Sequence, residues 1–387
     1  MLGLMQDWPL LVHRVIDHAA IQYPSREVVS RSVEGPVTRT NYRNIRHRAL
    51  QLAQCLVRDG VRAGDRVATL AWNTARHLEA WYGITGVGAI YHTVNPRLFP
   101  EQIIWIINHA ADNILLTDLT FVPLLEKIAD KLPSVLRYVI LTDADHMPAT
   151  PLKNAVSYEE WLKTSDGDFE WLALDEKAAA GLCYTSGTTG NPKGVLYSHR
   201  SNLLHAFQVA GGNVFGLSSK ETVLPIVPLF HANSWSLAFS APMSGAKLVM
   251  PGPKLDGESV FEMLESEKVT FSAAVPTVWL MLLQYLQKSG KKLTTLQRVG
   301  IGGSACPRAV TEAFEKDYGV EIIHAWGMTE MSPVGSTGTI KPGVDHLRDA
   351  PYFDLKQKQG YALFGVEMII TDDQGQRLLA WWFPSLD

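Results

Sequence analysis

The chain has 387 residues, too many for one ordinary domain, and a hydrophobic fraction of 46% is enough to build substantial cores. A formal charge of -4, without a block of consecutive Lys or Arg of the kind that tracks a phosphate backbone, argues against a nucleic-acid binder. Cys55, Cys183 and Cys306 are odd in number and lack CxxC spacing, which argues against a disulfide framework or zinc site and fits a reducing cytoplasm.

The first residues, Met1 to Trp8, carry no basic run. No apolar stretch reaches the roughly 18 residues needed to span a bilayer, so a soluble, cytoplasmic protein without a transmembrane segment is expected. From Asp65 onward, short apolar runs alternate with helical patterns. Strands are predicted at 66–70, 89–93 and 113–117, and helices at 74–86 and 100–109. A further helix enters at Pro123, places Leu124, Leu125, Ile128 and Leu132 on one face and stops at Pro133, before a strand at 138–141. This βαβ rhythm implies a parallel sheet. Residues 143–177, rich in Pro, Asp, Ser and Thr, read as a joining excursion.

Next comes Tyr184-Thr185-Ser186-Gly187-Thr188-Thr189-Gly190-Asn191-Pro192-Lys193-Gly194, a hydroxyl-rich glycine loop ending in one lysine. Glycines let backbone N–H groups approach an anion, hydroxyls add compact donors, and the lysine supplies a mobile charge, so the loop reads as a phosphate cradle. A flexible linker is the alternative, but the apolar runs 178–184 and 195–197 clamp the loop between two predicted strands. A P-loop would need Gly-Lys-Ser/Thr directly between a strand and a helix. Here the lysine follows Pro192, and helix signals start only near Ser201, with Leu203, Leu204, Phe207 and Ala210 as the stripe. The predicted order is strand, loop, strand, helix.

A second set of strands is predicted at 222–224, 247–250, 270–274, 298–301 and 321–325. Asp256 is the expected cap of a helix carrying Val260, Phe261 and Leu264, and Pro307 opens one carrying Val310, Ala313 and Phe314. After Gly360, a hairpin of 366–370 and 376–378 around Asp372-Asp373-Gln374-Gly375 is expected to begin a small antiparallel unit. The fold class predicted is two packed, doubly wound α/β subdomains with predominantly parallel sheets. Residues 1–177 form the first with its joining segment, 178–358 the second with the nucleotide motifs, and 359–387 an incomplete β-unit and divergent tail.

Ligands of open α/β sheets gather beyond the carboxyl ends of the strands. Three of those loops stand out. Gly302-Gly303-Ser304-Ala305 would let a flat ring lie against backbone, although taken alone a tight turn before the Pro307 helix is the favoured reading. In Trp326-Gly327-Met328-Thr329-Glu330, Trp326 can stack on a base, Thr329 can donate to phosphate, and Glu330 offers oxygens to Mg²⁺, with a strand end and a cap-like Thr as the alternative. In Pro228-Leu229-Phe230-His231-Ala232-Asn233-Ser234-Trp235, His231 is either a satisfied core residue or a group that orients a carboxylate beside an apolar channel. No HExxH, GxSxG or GxGxxG signature competes, and Cys306 reads as packing rather than nucleophile.

In this order, residues 184–194, 228–235, 302–305 and 326–330 resemble the adenylate-forming superfamily of acyl-CoA synthetases, which also holds peptide-synthetase adenylation domains and luciferases. The stretches 92–100 and 326–330 look like the branch of medium- and long-chain fatty-acyl and methylmercaptopropionate CoA ligases. The resemblance implies that Thr185, Ser186, Gly187, Thr188, Thr189, Gly190 and Lys193 grip the ATP phosphates, while Gly302, Gly303, Ser304 and Trp326 border adenine. It assigns Thr329 to phosphate, Glu330 to Mg²⁺, and His231, Trp235, Gly327 and the adjoining Met328 to the acyl pocket, with Lys193, Thr329, Glu330 and His231 as the catalytic set. The family more often carries Tyr where Trp326 stands.

The implied reaction joins a fatty acid to ATP, releasing pyrophosphate, and passes the acyl group to coenzyme A; a homodimer is allowed. The resemblance covers roughly 10–378. The ribose-binding Asp of a Thr-Gly-Asp stretch and the lysine of a C-terminal lid domain are expected in this family and have no counterpart here, so a truncated or frameshifted ligase of impaired activity is expected. A non-catalytic ATP- or acyl-binding module and one chain of a split synthetase are the alternatives.

Overall fold

The computed structural model describes residues 1, 3–185 and 191–378. Helix α1 (His13–Gln22) leads to strands β1 (Glu27–Arg31) and β2 (Val37–Asn41), an antiparallel pair. Asn41 then caps α2 (Tyr42–Arg58), its side chain accepting from the Asn44 amide.

The βαβ rhythm read from Asp65 is present: β3 (Arg66–Leu70), α3 (Ala75–Gly86), β4 (Ile90–Thr93), α4 (Pro100–Ala110), β5 (Ile114–Thr117), α5 (Val122–Ile128) and β6 (Arg137–Ile140). After β7 (Val156–Ser157) and α6 (Tyr158–Leu162), the chain forms β8 (Ala179–Thr185), β9 (Lys193–Ser198) and α7 (His199–Ala210). These strands make a seven-stranded sheet ordered β7-β6-β5-β3-β4-β8-β9, parallel except for the final β8–β9 hairpin. The order strand, loop, strand, helix holds, and α7 is capped by Ser198, which accepts from the Ser201 amide.

The second set comprises β10 (Thr222–Pro225), α8 (Leu237–Met243), β11 (Lys247–Met250), α9 (Gly257–Ser266), β12 (Phe271–Ala274), α10 (Pro276–Ser289), β13 (Arg298–Ile301), α11 (Arg308–Asp317) and β14 (Glu321–Gly327). Asp256 caps α9 as expected. Beyond them lie β15 (Val334–Thr337), α12 (Asp349–Lys356) and β16 (Tyr361–Ala362). The nine-stranded sheet runs β16-β15-β14-β13-β12-β10-β11-β1-β2, parallel from β1 to β14 and antiparallel at both ends.

Two expectations need correction. The sheets cross the boundary expected at 177, because β1 and β2 join the second sheet through the parallel pair β1–β11, while β8 and β9 close the edge of the first. Sequence order near a hairpin says nothing of which sheet edge it completes. The hairpin expected after 366 forms only its turn and one bridge, Thr371 with Arg377, supported by Leu378 N–H to Ile370 O at 2.9 Å. Met368 and Ile369 are exposed there, and a two-stranded ribbon without a packing surface is marginal.

Period-two alternation sends each strand's residues into different cores. Val67, Ile114 and Leu116 face a central cluster, while Ala68, Leu70 and Leu115 face an outer one with α4 and α5. In the second sheet Phe271 and Ala273 face the same central cluster, while Val299 and Ile301 face α9, α10 and α11. The central layer, built from α1, α2, α3, α7 and α8, therefore packs between both sheets. At its heart Trp81 stacks on Tyr91 with ring centroids 4.4 Å apart.

Candidate active site

The β8–β9 hairpin of the first sheet touches the turn beyond the carboxyl end of β14 in the second, through Tyr197 Oη to the Thr329 carbonyl at 2.7 Å. Its register sets Thr185 opposite Lys193, and Thr185 Oγ1 donates to the Lys193 carbonyl at 3.4 Å. Ser186, Gly187, Thr188, Thr189 and Gly190 lie outside the described residues. At the loop's root, the Tyr184 hydroxyl bonds His109 Nδ1 at 2.6 Å, and Trp105 stacks on that imidazole. Gly181 of β8 is required by packing, because a Cβ there would lie 2.3 Å from Tyr91 Cζ. The ring so admitted carries its hydroxyl to Asn233 Oδ1 at 3.2 Å.

At the turn after β14 is a cavity of about 220 Å³ lined by His231, Trp235, Gly302, Gly303, Trp326, Gly327, Met328 and Thr329, with Ala232, Ala325, Pro333 and Val334. A Cβ on Gly302 would stand 2.8 Å from the Ala325 carbonyl and 3.2 Å from Trp235 Cη2, so the bare backbone just after β13 keeps this floor open. The Trp326 ring lies over Gly335, where a Cβ would come within 2.9 Å of Cζ3. Ser304 is exposed on the turn after β13, and Glu330 is exposed at the end of β14. A cavity of about 190 Å³ at Asp59, Asn113 and Arg137 sits at the amino ends of β5 and β6 and gathers none of these residues.

The segment carrying Trp235 is backbone-strained. Residues 232 to 236 all hold positive φ, between 45° and 61°, a left-handed turn that costs about 1–2 kcal/mol per non-glycine residue. Buried hydrogen bonds hold it there: Asn233 Nδ2 to Asn202 Oδ1 at 3.1 Å, Ser234 Oγ to Val227 O at 2.7 Å, and Ser236 Oγ with His205 Nδ1 at 2.6 Å. The His231 imidazole opens to solvent on one side, while the surrounding walls, and secondarily the Arg97 guanidinium, hold its pKa below the ordinary value. It is thus a neutral donor or acceptor at the cavity rim.

Burial pushes both Cys183 and Cys306 thiols up, so neither is an activated nucleophile. Glu330 has no hydrogen-bond or ion-pair partner among the described residues, and none of them forms a group of three metal-ligating side chains. A hard cation here would take one carboxylate from Glu330 and its remaining oxygens from phosphate and water, which is how Mg²⁺ is usually held.

Tyr197, His205, Asn202 and Asn233 were not singled out in the sequence. The available signal for Tyr197 was weak: an aromatic in a short strand whose other residues are mostly solvent-facing.

The family described as AMP-binding enzyme matches residues 16–381. A 3-methylmercaptopropionyl-CoA ligase from Ruegeria lacuscaerulensis is 44% identical over 378 residues, covering 98% of this chain and 70% of its own length. A medium-chain-fatty-acid–CoA ligase from Ectopseudomonas oleovorans is 44% identical, covering 98% of this chain and 69% of its own. Among solved structures, an anthranilate CoA ligase in complex with anthranoyl-AMP superposes with a TM-score of 0.82 at 25% identity, over 97% of this chain and 70% of that one.

Proposed function

We propose that this chain, which belongs to the family of AMP-binding enzymes, activates a medium- or long-chain fatty carboxylate with ATP to the acyl adenylate and transfers the acyl group to coenzyme A. The family's acyl-CoA ligases are AMP-forming acid–thiol ligases that use ATP, Mg²⁺ and coenzyme A. The observation that carries the reading is the single cavity that joins an aromatic and apolar wall, His231 and Trp235, to a flat glycine floor, Gly302 and Gly303, and then to Thr329.

In this reading Trp326 and Gly302–Ser304 hold adenine, and Thr185, the glycine loop, Lys193 and Thr329 hold the phosphates. Glu330 would hold Mg²⁺, which when bound neutralises phosphate charge that otherwise repels the incoming carboxylate. His231 orients that carboxylate at the cavity rim, and Trp235, Gly327 and Met328 border its chain. Carboxylate oxygen attacks the α-phosphorus in line, and Lys193 stabilises the charge carried away on pyrophosphate. The coenzyme A thiol then attacks the acyl carbonyl and AMP leaves.

The test is ATP–pyrophosphate exchange by the purified chain, driven by fatty acids of graded length and by 3-methylmercaptopropionate. Exchange with fatty acids supports the proposal. Exchange with the thioether acid alone favours the second reading, which the 44% identity to the Ruegeria ligase motivates. Saturable Mg–ATP binding without any exchange favours a binding module. The floor is tested separately: Gly302→Ala overpacks the slot and is expected to weaken ATP binding roughly tenfold by calorimetry.

A further inference from the structure

The two halves of the site come from different sheets, Lys193 on the hairpin of the first and Thr329 and Glu330 on the turn after β14 of the second. The turn from 328 to 333 is closed mainly on itself, through Met328 N–H to Pro333 O at 3.0 Å and Met331 N–H to Met328 O at 2.9 Å. Among the described residues, its hydrogen bonds to other elements are made through side chains. Tyr197 Oη donates to the Thr329 carbonyl at 2.7 Å. The Val334 amide donates to His205 Nε2 at 2.9 Å. Ser236 Oγ, bonded to His205 Nδ1 at 2.6 Å, reaches the Ser332 carbonyl at 3.4 Å.

The hydrogen-bond directions agree along this chain. Because Nε2 accepts from Val334, the ring proton sits on Nδ1 and donates to Ser236, whose own proton is free for Ser332. Tyr197 is 3% exposed and His205 5%, so water does not compete for either bond. Both residues also share one stiff piece with Lys193: β9 runs through the Ser198 cap straight into α7.

We propose that Tyr197 and His205 are positioning residues that hold the Thr329–Glu330 turn in register with the Lys193 hairpin, so that the Mg–triphosphate site is assembled from both sheets. The proposal rests on the ligase reading above. Through Tyr197 the strand carrying the phosphate lysine grips the backbone of the phosphate-binding threonine, and through His205 the next helix grips the far end of the same turn. Neither side chain need touch substrate. Losing such an outer-shell partner typically costs ten- to a hundredfold in metal affinity.

The test compares Tyr197→Phe, which keeps the buried ring, His205→Leu, and His205→Gln, whose amide oxygen can still accept from Val334. Calorimetry measures binding of Mg–ATP and of ATP in excess EDTA, and hydrogen exchange follows the amides of 328–334. Tyr197→Phe and His205→Leu are expected to lose roughly tenfold in Mg–ATP affinity, to lose much less in metal-free ATP affinity, where only the Thr329 contact is at stake, and to lose amide protection in the turn; His205→Gln restores most of this. Equal losses with and without Mg²⁺, tracking the fall in Tm, would overturn the proposal as a merely structural effect. So would variants that bind Mg–ATP like the unmutated chain. Failure of the unmutated chain to bind Mg–ATP would overturn the ligase reading, and this proposal with it.

Discussion

Arg48→Met is expected to destabilise the protein by about 3–5 kcal/mol in chemical denaturation, the usual cost of removing one partner from a buried ion pair. Arg48 of α2 reaches Glu79 of α3 at 2.8 Å and grips Glu159 of α6 with two bonds, at 2.9 and 3.0 Å. Glu159 is shared with Arg76 at 2.8 Å, and Arg76 reaches Glu34 of the β1–β2 hairpin at 2.6 Å. The network thus ties helices of the central layer to a hairpin of the nine-stranded sheet. Glu79, whose side chain is 3% exposed, would keep only the Tyr158 hydroxyl at 2.9 Å and would have to fold protonated.

The pH dependence carries a definite sign. A carboxyl whose folded pKa is raised above its unfolded value contributes stability below the unfolded pKa and loses it as pH rises through the folded one. Burial already pushes Glu79 upward, and the Arg48 charge is the main opposing influence. The deficit of Arg48→Met should therefore be larger at pH 8 than at pH 5. Adding Glu79→Gln should recover much of it, since a neutral amide needs no counter-charge. A pH-independent deficit that Glu79→Gln leaves untouched would show that Arg48 acts only through packing.

Much of the fold was legible because parallel strands buried on both faces are short apolar runs, bounded by capped helices. The strands at 66–70, 247–250 and 298–301 have the boundaries their sequences imply, and Asp256 caps where expected. Sheet membership was not legible. Nothing in Glu27–Arg31 or Val37–Asn41 names a sheet, and what assigns them to the second one is pairing of Val28, Val29 and Ser30 with Leu248, Val249 and Met250, more than 200 residues away.

The site divides the same way. Glycine floors and strand-end motifs are local, so Gly302 and Trp326 could be named from the strand-end loops and His231 and Trp235 from the family resemblance those loops carry, and one cavity gathers them. The bonds between motifs are not local. Tyr197 meets Thr329 across a separation of 132 residues, and Val334 meets His205 across 129. A hydroxyl and an imidazole in those positions look like ordinary strand and helix residues until the sheets are assembled. Five consecutive left-handed residues, none of them glycine, are likewise invisible in Ala232-Asn233-Ser234-Trp235-Ser236, because their conformation is imposed by tertiary hydrogen bonds.

In fatty-acid-driven ATP–pyrophosphate exchange, Glu330→Gln is expected to lower the rate by roughly two to three orders of magnitude, the scale on which removing one charge-stabilising group acts. The substitution keeps size and shape while deleting the negative charge and turning one accepting oxygen into a donating NH₂, so a loss reports cation binding rather than packing. Glu330 is exposed and unpaired among the described residues, and Tm should stay within the small range of surface substitutions. Its apparent Mg²⁺ requirement should rise, while the fatty-acid KM, which the proposed function assigns to the Trp235 side of the cavity, should hardly move. Glu330→Asp should fall between the two, since it keeps the charge but withdraws it by one methylene. If Glu330→Gln exchanged pyrophosphate at the unmutated rate at limiting Mg²⁺, the cation would have to be held elsewhere. Thr329 and Lys193 would then be left to carry the phosphate charge without it.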